Sequence, residues 1–190
     1  MIVMVACATA SIFFVLRFFD NYTSAVTLEL AGPDDADVAE QVLVKSIDVG
    51  YRFLSQPTFD ELLSTKVLYN TLQHFKKSLQ SDQKEKCHIL LAKIQGKVVG
   101  YIFTHKITEA ALFIEHLFIL PDFFRHGIGK KLVNESISIF KRTNPAVNKI
   151  LVNTRLQNQR SQTFYYKLGF YRINEYPERD YVMCVLMKDI

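Results

Sequence analysis

An almost unbroken apolar run, Ala111 to Leu120, leads into Phe123-Phe124-Arg125-His126-Gly127-Ile128-Gly129-Lys130-Lys131-Leu132-Val133, after which apolar residues recur at helical spacing. A strand, a turn with two closely spaced glycines and a helix form an arrangement that holds a phosphate on backbone amides. The first amides of a helix lack an intrahelical acceptor and point outward at the positive end of the macrodipole. Glycine lets a ligand approach without a Cβ in the way. Arg125, Lys130 and Lys131 place positive charge at that same end, where it is useful mainly to an anion. A Walker A loop would need four residues between its glycines and then Lys-Ser/Thr, which fails here. A dinucleotide fingerprint would need a third glycine where Leu132 stands, and that fails too.

A second motif follows one helix and one strand later. From Asn158 the chain reads Asn-Gln-Arg-Ser-Gln-Thr-Phe-Tyr-Tyr-Lys-Leu-Gly-Phe, ending at Phe170. Asn158 is placed to cap a helix that Gly169 ends, with Ser161, Phe164, Tyr165 and Leu168 on one face at spacings of three and four. Together the two motifs resemble the GNAT superfamily of N-acetyltransferases. Its acyl-coenzyme A loop is written Gln/Arg-x-x-Gly-x-Gly/Ala, and its late motif Asn-x-x-Ala-x-x-Phe-Tyr-x-x-x-Gly-Phe. Gly127 and Gly129 fit the first, and Asn158, Phe164, Tyr165, Gly169 and Phe170 fit the second, with Ser161 as the small residue. One departure is visible: Phe124 stands in the Gln/Arg position, with Arg125 one residue later.

Periodicity along the rest of the chain agrees. Val26 to Ala31 alternates as a strand, and Gly32-Pro33-Asp34-Asp35 opens a helix from about Asp37 to Ile47. Thr58 and Glu61, at capping-box spacing, predict a second helix through Leu63, Leu68, Leu72 and Phe75. After the polar loop Ser81 to Lys86, Cys87 to Ile94 and Val98 to Ile107 read as a hairpin. Leu112 to Leu120 is a central strand, the Gly127 helix runs to about Arg142, and Lys149 to Arg155 is another strand. The Asn158 helix and strands near Phe170 to Glu175 and Asp180 to Met187 close the chain. The expected fold is mixed α/β and GNAT-like: a central, mostly antiparallel sheet flanked by helices, over residues 26–190.

The resemblance implies an acetyl-CoA-dependent N-acetyltransferase acting by direct attack in a ternary complex. It implies that the strand edge at Leu117, Phe118 and Ile119 bonds the pantetheine arm. Arg125, His126, Gly127, Ile128, Gly129 and Lys130 then hold the pyrophosphate, and Asn158 bonds the arm further on. Glu115, a carboxylate within an apolar strand, is the candidate general base, its pKa expected to rise through burial. His116 is expected on the opposite face by strand alternation. Tyr165 matches the family's general acid, with Tyr166 and Tyr181 as similar residues in unsuitable places. The acceptor site is expected from the loop Gly50 to Thr58 and the last hairpin, with Tyr51, Phe53, Tyr176, Glu178, Arg179 and Asp180. Glu115 with Glu175, Glu178 or Asp180 would draw a cationic amine, favouring a small amine or polyamine over an anionic amino sugar. Protein lysines or N-termini are the alternative acceptors, and a CoA-binding regulatory module without catalysis is the rival class.

Composition agrees with one enzyme-sized domain: 190 residues, 49% hydrophobic, with 15 Phe and 9 Tyr to fill a core. The net charge of +4 is scattered rather than striped, so a nucleic-acid partner is not indicated. Three cysteines without a Cys-x-x-Cys suggest neither a disulfide framework nor a zinc site, and no metal is expected. The expected partner is a small-molecule amine, with a homodimer allowed and the cytoplasm as default compartment. Residues 1–25 form an apolar extension, read either as a membrane anchor with a cytoplasmic domain or as a non-native start. The stretch Met1 to Leu16 is short for a spanning helix, and no Lys or Arg precedes it as a secretory signal requires.

Overall fold

The computed structural model describes residues 25–51, 55, 60–79, 86–178 and 181–190. Its strands are β1 (Val26–Leu30), β2 (Cys87–Ile94), β3 (Lys97–Lys106), β4 (Ala111–Ile119), β5 (Lys149–Arg155), β6 (Tyr171–Glu178) and β7 (Tyr181–Asp189). Its helices are α1 (Ala36–Gly50), α2 (Thr65–Ser78), α3 (Ile128–Thr143) and α4 (Gln159–Lys167). The strands form one seven-stranded sheet in the order β1-β2-β3-β4-β5-β7-β6. Every pairing is antiparallel except that of β4 with β5.

Two apolar layers cover the sheet, and strand alternation sorts residues between them. On β2, Leu90 and Ala92 join the layer under α3 and α4, whereas Ile89 and Leu91 join the layer under α1 and α2. Helix α3 buries Ile128, Gly129, Leu132, Val133, Ser136 and Phe140, an apolar stripe in which positions three and four apart recur along one face. On the opposite face, Phe75 of α2 meets the rings of Tyr101 and Phe103 edge-on at 5.4 and 5.8 Å. These layers explain why β2 and β3 read as nearly continuous apolar runs: both faces are dry.

The second predicted helix is divided. Residues 60–62 are helical, a turn closed by Ser64 N–H donating to the Glu61 carbonyl (3.0 Å) follows, and α2 begins at Thr65. Thr58, the proposed cap, lies outside the described residues, as do residues 1–24 and 80–85. Among the described residues no helix is long and apolar enough to cross a membrane. Cys87 and Cys184 are buried thiols in separate layers.

A buried polar chain sits beneath α3. His88 Nε2 lies 2.9 Å from Ser136 Oγ, which donates to Thr104 Oγ1 at 2.8 Å, and the His88 ring stacks on Phe140 at 4.4 Å. Burial lowers the His88 pKa from 6.5 to about 4. The unfolded chain therefore binds the extra proton first, so this contribution is fully present above pH 6.5 and is lost as pH falls towards 4. His116 is lowered to the same value and titrates in the same window. Each histidine contributes a loss of roughly 3 kcal/mol by pH 4. Thermal unfolding followed by circular dichroism should show a falling midpoint between pH 6.5 and 4, and His88→Gln should flatten part of that slope. A midpoint independent of pH in this range would refute the assignment.

Candidate active site

Strands β4 and β5 begin as neighbours and then part. Their pairing covers Ala111 to Ile114 against Lys149 to Val152, although β4 continues to Ile119 and β5 to Arg155. The backbone of β4 from Glu115 onward therefore has no strand partner on its β5 side. A bulge helps to steer β4 away: Phe103 of β3 opposes His116 and Thr104 opposes Ile114, leaving Glu115 as the extra residue. At the far end, Ser46 Oγ of α1 donates to the Ile119 carbonyl at 3.1 Å.

The opening forms a cleft of about 360 Å³ lined by residues of elements on both faces of the sheet. Its walls include Glu115, His116, Leu117 and Phe118 from β4, Asn153, Thr154 and Arg155 from β5, and Ser161 and Tyr165 from α4. Leu43, Ile47 and Tyr51 close it from α1 and its C-terminal end, and Tyr176, Glu178 and Met183 from the last two strands. Tyr165 is only 5% exposed and packs edge-on against Phe164 and Phe170 at 5.0 and 5.1 Å. Burial, with the nearby Tyr51 adding to it, raises the Tyr165 pKa well above that of a solvated phenol. The hydroxyl is therefore protonated at neutral pH.

Glu115 is not buried. Its side chain is 36% exposed, with Oε2 lying 3.7 Å from His105 Nδ1. Burial holds the His105 pKa below its ordinary value, although the neighbouring Glu115 acts to raise it. The bulge also overturns the alternation expected for His116. Glu115 and His116 both face the α1–α2 side, where His116 Nδ1 lies 3.3 Å from the Tyr101 hydroxyl and its ring meets Phe75 at 5.4 Å. Burial lowers the His116 pKa to about 4, so this ring brings no charge to the cleft at neutral pH.

On the other side of the sheet the glycine loop opens α3. Arg125 (φ +66°) and Gly127 (φ +72°) are both left-handed, flanking a half-buried His126. A left-handed arginine is strained by on the order of 1 kcal/mol, and such strain gathers at functional loops. Gly127 caps α3 with no side-chain hydrogen bond to the first turn, so backbone amides alone present the helix end. Gly129 has a packing role that the sequence reading did not assign. A Cβ there would lie 3.0 Å from Phe164 Cζ and 3.3 Å from Ile119 Cδ1, so glycine brings α3 close to both α4 and β4. Asn158 Oδ1 accepts from Ser161 N–H at 3.1 Å and caps α4 as expected.

The family model described as "Acetyltransferase (GNAT) family" matches residues 52–170. The chain belongs to this family. It is 26% identical over 102 residues to an uncharacterized N-acetyltransferase of Mycobacterium tuberculosis and to one of Mycobacterium bovis, an alignment that spans 50% of this chain and 64% of each relative. Its fold is similar to that of the PaiA N-acetyltransferase from Thermoplasma acidophilum in complex with coenzyme A. There the TM-score is 0.73 at 19% identity, over 87% of this chain and 99% of that one. It is also similar to the ribosomal-protein-S18-alanine N-acetyltransferase of Escherichia coli, with TM-score 0.61 at 18% identity, over 87% and 94% of the two chains.

Within this GNAT chain the residues singled out from sequence fall into two groups. Glu115, Leu117, Phe118 and Tyr165 line the cleft. Ile119, Arg125, His126, Gly127, Ile128, Gly129, Lys130 and Asn158 lie outside its lining, at the end of β4, in the loop that opens α3 and at the cap of α4. Ile128 is 1% exposed and gives its side chain to the core, so it can offer a ligand only its backbone. Of the acceptor candidates, Tyr51, Tyr176 and Glu178 line the cleft, and Phe53, Arg179 and Asp180 lie outside the described residues. Glu175 is on the wrong face: it pairs with Arg172 and opposes Cys184 across the strands. Arg155 was missed. Its signal was the change from Ile150-Leu151-Val152 to Asn153-Thr154-Arg155 at the C-terminal end of a parallel strand, where α/β sheets place ligands.

Proposed function

We propose that this chain transfers the acetyl group of acetyl-CoA to a primary amine of a small molecule, polyamines included, by direct attack in a ternary complex. The observation that carries the reading is the parting of β4 and β5, which lets a carboxylate and a protonated phenol line one cleft. The chain's residues suit the co-substrate. The uncapped N-terminus of α3, with Arg125 and Lys130 beside it, suits a pyrophosphate, as the amides of Gly127, Ile128 and Gly129 do. His126 would contact it from within the loop. The unpartnered β4 edge at Leu117, Phe118 and Ile119 suits the amide-bearing pantetheine arm, with Asn158 beyond it. Acetyl-CoA supplies the acyl group already activated as a thioester.

In this reading Glu115 takes the proton of the incoming amine, directly or through water, on its exposed and hydrated carboxylate. Tyr165 keeps its proton at neutral pH and gives it to the sulfur as the thiol leaves. Residues 26–190 constitute the catalytic domain, and the buried thiols of Cys87 and Cys184 suit a reducing cytoplasm. The test is thiol release from acetyl-CoA with amines, polyamines, aminoglycosides and peptides, with mass spectrometry of the acceptors. Acetylation of a small amine is expected. Release no faster than hydrolysis across the set would overturn the reading, and acetylation confined to peptides would replace its acceptor.

Glu115→Gln should leave acetyl-CoA affinity nearly intact and lower the rate most below neutral pH, where the amine is most protonated. An unchanged pH–rate profile in this variant would move the base elsewhere.

A further inference from the structure

In the lining of the cleft the guanidinium of Arg155 packs on two aromatic rings. Its Cζ is 4.9 Å from the Tyr51 ring centroid and 4.5 Å from that of Tyr181. Ring faces packed on a planar cation satisfy its charge in part but accept few of its N–H bonds, which stay available at its edge. Arg155 Nε is buried and finds no hydrogen-bond acceptor among the described residues. The Arg155 charge also acts on Tyr51, opposing the rise that burial gives the phenol's pKa. Glu178 also lines the cleft, where its Oε1 accepts from the Tyr181 hydroxyl at 3.2 Å, and among the described residues no ion pair joins it to Arg155. The same tyrosine thus supports the arginine with its ring and binds the nearby carboxylate with its hydroxyl.

A buried donor without an acceptor is costly unless something completes it. A guanidinium stacked and oriented in this way matches a carboxylate, which can take two parallel N–H bonds. Across the cleft, on β4, stands the exposed carboxylate of Glu115, which suits a cationic amine. We infer that Arg155 favours, among small-molecule amines, acceptors that carry a carboxylate as well as the reacting amine, so that the preferred substrates are small zwitterionic amines. This deepens the proposed function and rests on it for the identity of the cleft as the acceptor site.

The test compares amines with their carboxylate-bearing counterparts: lysine with cadaverine, ornithine with putrescine, and phenylalanine with phenethylamine. Calorimetric titration into the full chain with coenzyme A present reads binding, and thiol release from acetyl-CoA reads turnover. In at least one pair the carboxylate-bearing member should bind about tenfold tighter or better, as for a bidentate charge-assisted contact. Arg155→Gln should reduce that preference to within about threefold, with Arg155→Lys intermediate because it keeps the charge without the fork. Unfolding midpoints of both variants separate this from a clamp that only holds Tyr51 and Tyr181, which would weaken both members of a pair alike. If no carboxylate-bearing member is preferred, or the preference survives Arg155→Gln, the inference fails. Preferential binding without thiol release would leave Arg155 as a carboxylate site and overturn the acetyl transfer instead.

Discussion

Tyr165→Phe is expected to lower turnover about a hundredfold or more while leaving acetyl-CoA affinity close to that of the parent chain. The ring is part of the core: it is 5% exposed and packs against Phe164 and Phe170, contacts that phenylalanine preserves. Only the hydroxyl is removed, and with it the proton that burial holds on the oxygen. A proton donor to a departing thiolate acts late, so its loss should fall on kcat and on kcat/KM alike rather than on binding. Tyr166→Phe is the matched control, because Tyr166 is 41% exposed on the outer face of α4. Steady-state kinetics with calorimetry on both variants checks the pair. A control that loses activity while Tyr165→Phe does not would displace the assignment, and full activity in both would leave water as the proton donor.

The second large effect belongs to the glycine loop. Gly129→Val should weaken acetyl-CoA binding by tenfold or more and lower stability as well. Its Cβ would press on Phe164 and Ile119 at 3.0 and 3.3 Å before the added methyls are placed, and overpacking of this kind costs about 1–3 kcal/mol. Because Phe164 contacts Tyr165, the displacement would also reach the proposed acid. Gly127→Val forces a β-branched residue to φ +72° and should weaken binding without the same core damage. Arg125→Ala should cost only a few-fold, since an exposed cation is screened by solvent. Titration calorimetry with unfolding midpoints gives the order. Affinity of Gly129→Val equal to that of the parent would remove the phosphate-loop assignment.

Sequence by itself determined the parts governed by local rules. The order of elements, the glycine loop entering α3 and the Asn158 cap of α4 are all set by residues within a few positions of one another. Hydrophobic spacing and capping chemistry act at that range. The resemblance carried by the two motifs led to the family that the comparison then established. Tertiary structure decided what depends on neighbours far apart in the chain. The bulge at Glu115 follows from how β3 pairs with β4, and by adding one residue it put Glu115 and His116 on one face and left the carboxylate in solvent. Gly129 was legible as a ligand-approach residue, but its contact with Phe164, thirty-five positions on, needed the packing of α3 on α4. Arg155 gains its meaning only from the rings of Tyr51 and Tyr181, which lie 130 positions apart in the chain and both pack on its guanidinium. Period and cap are local properties of a polypeptide. Burial and electrostatic partnership are properties of the folded whole, and for this protein they decide which charges face the acceptor.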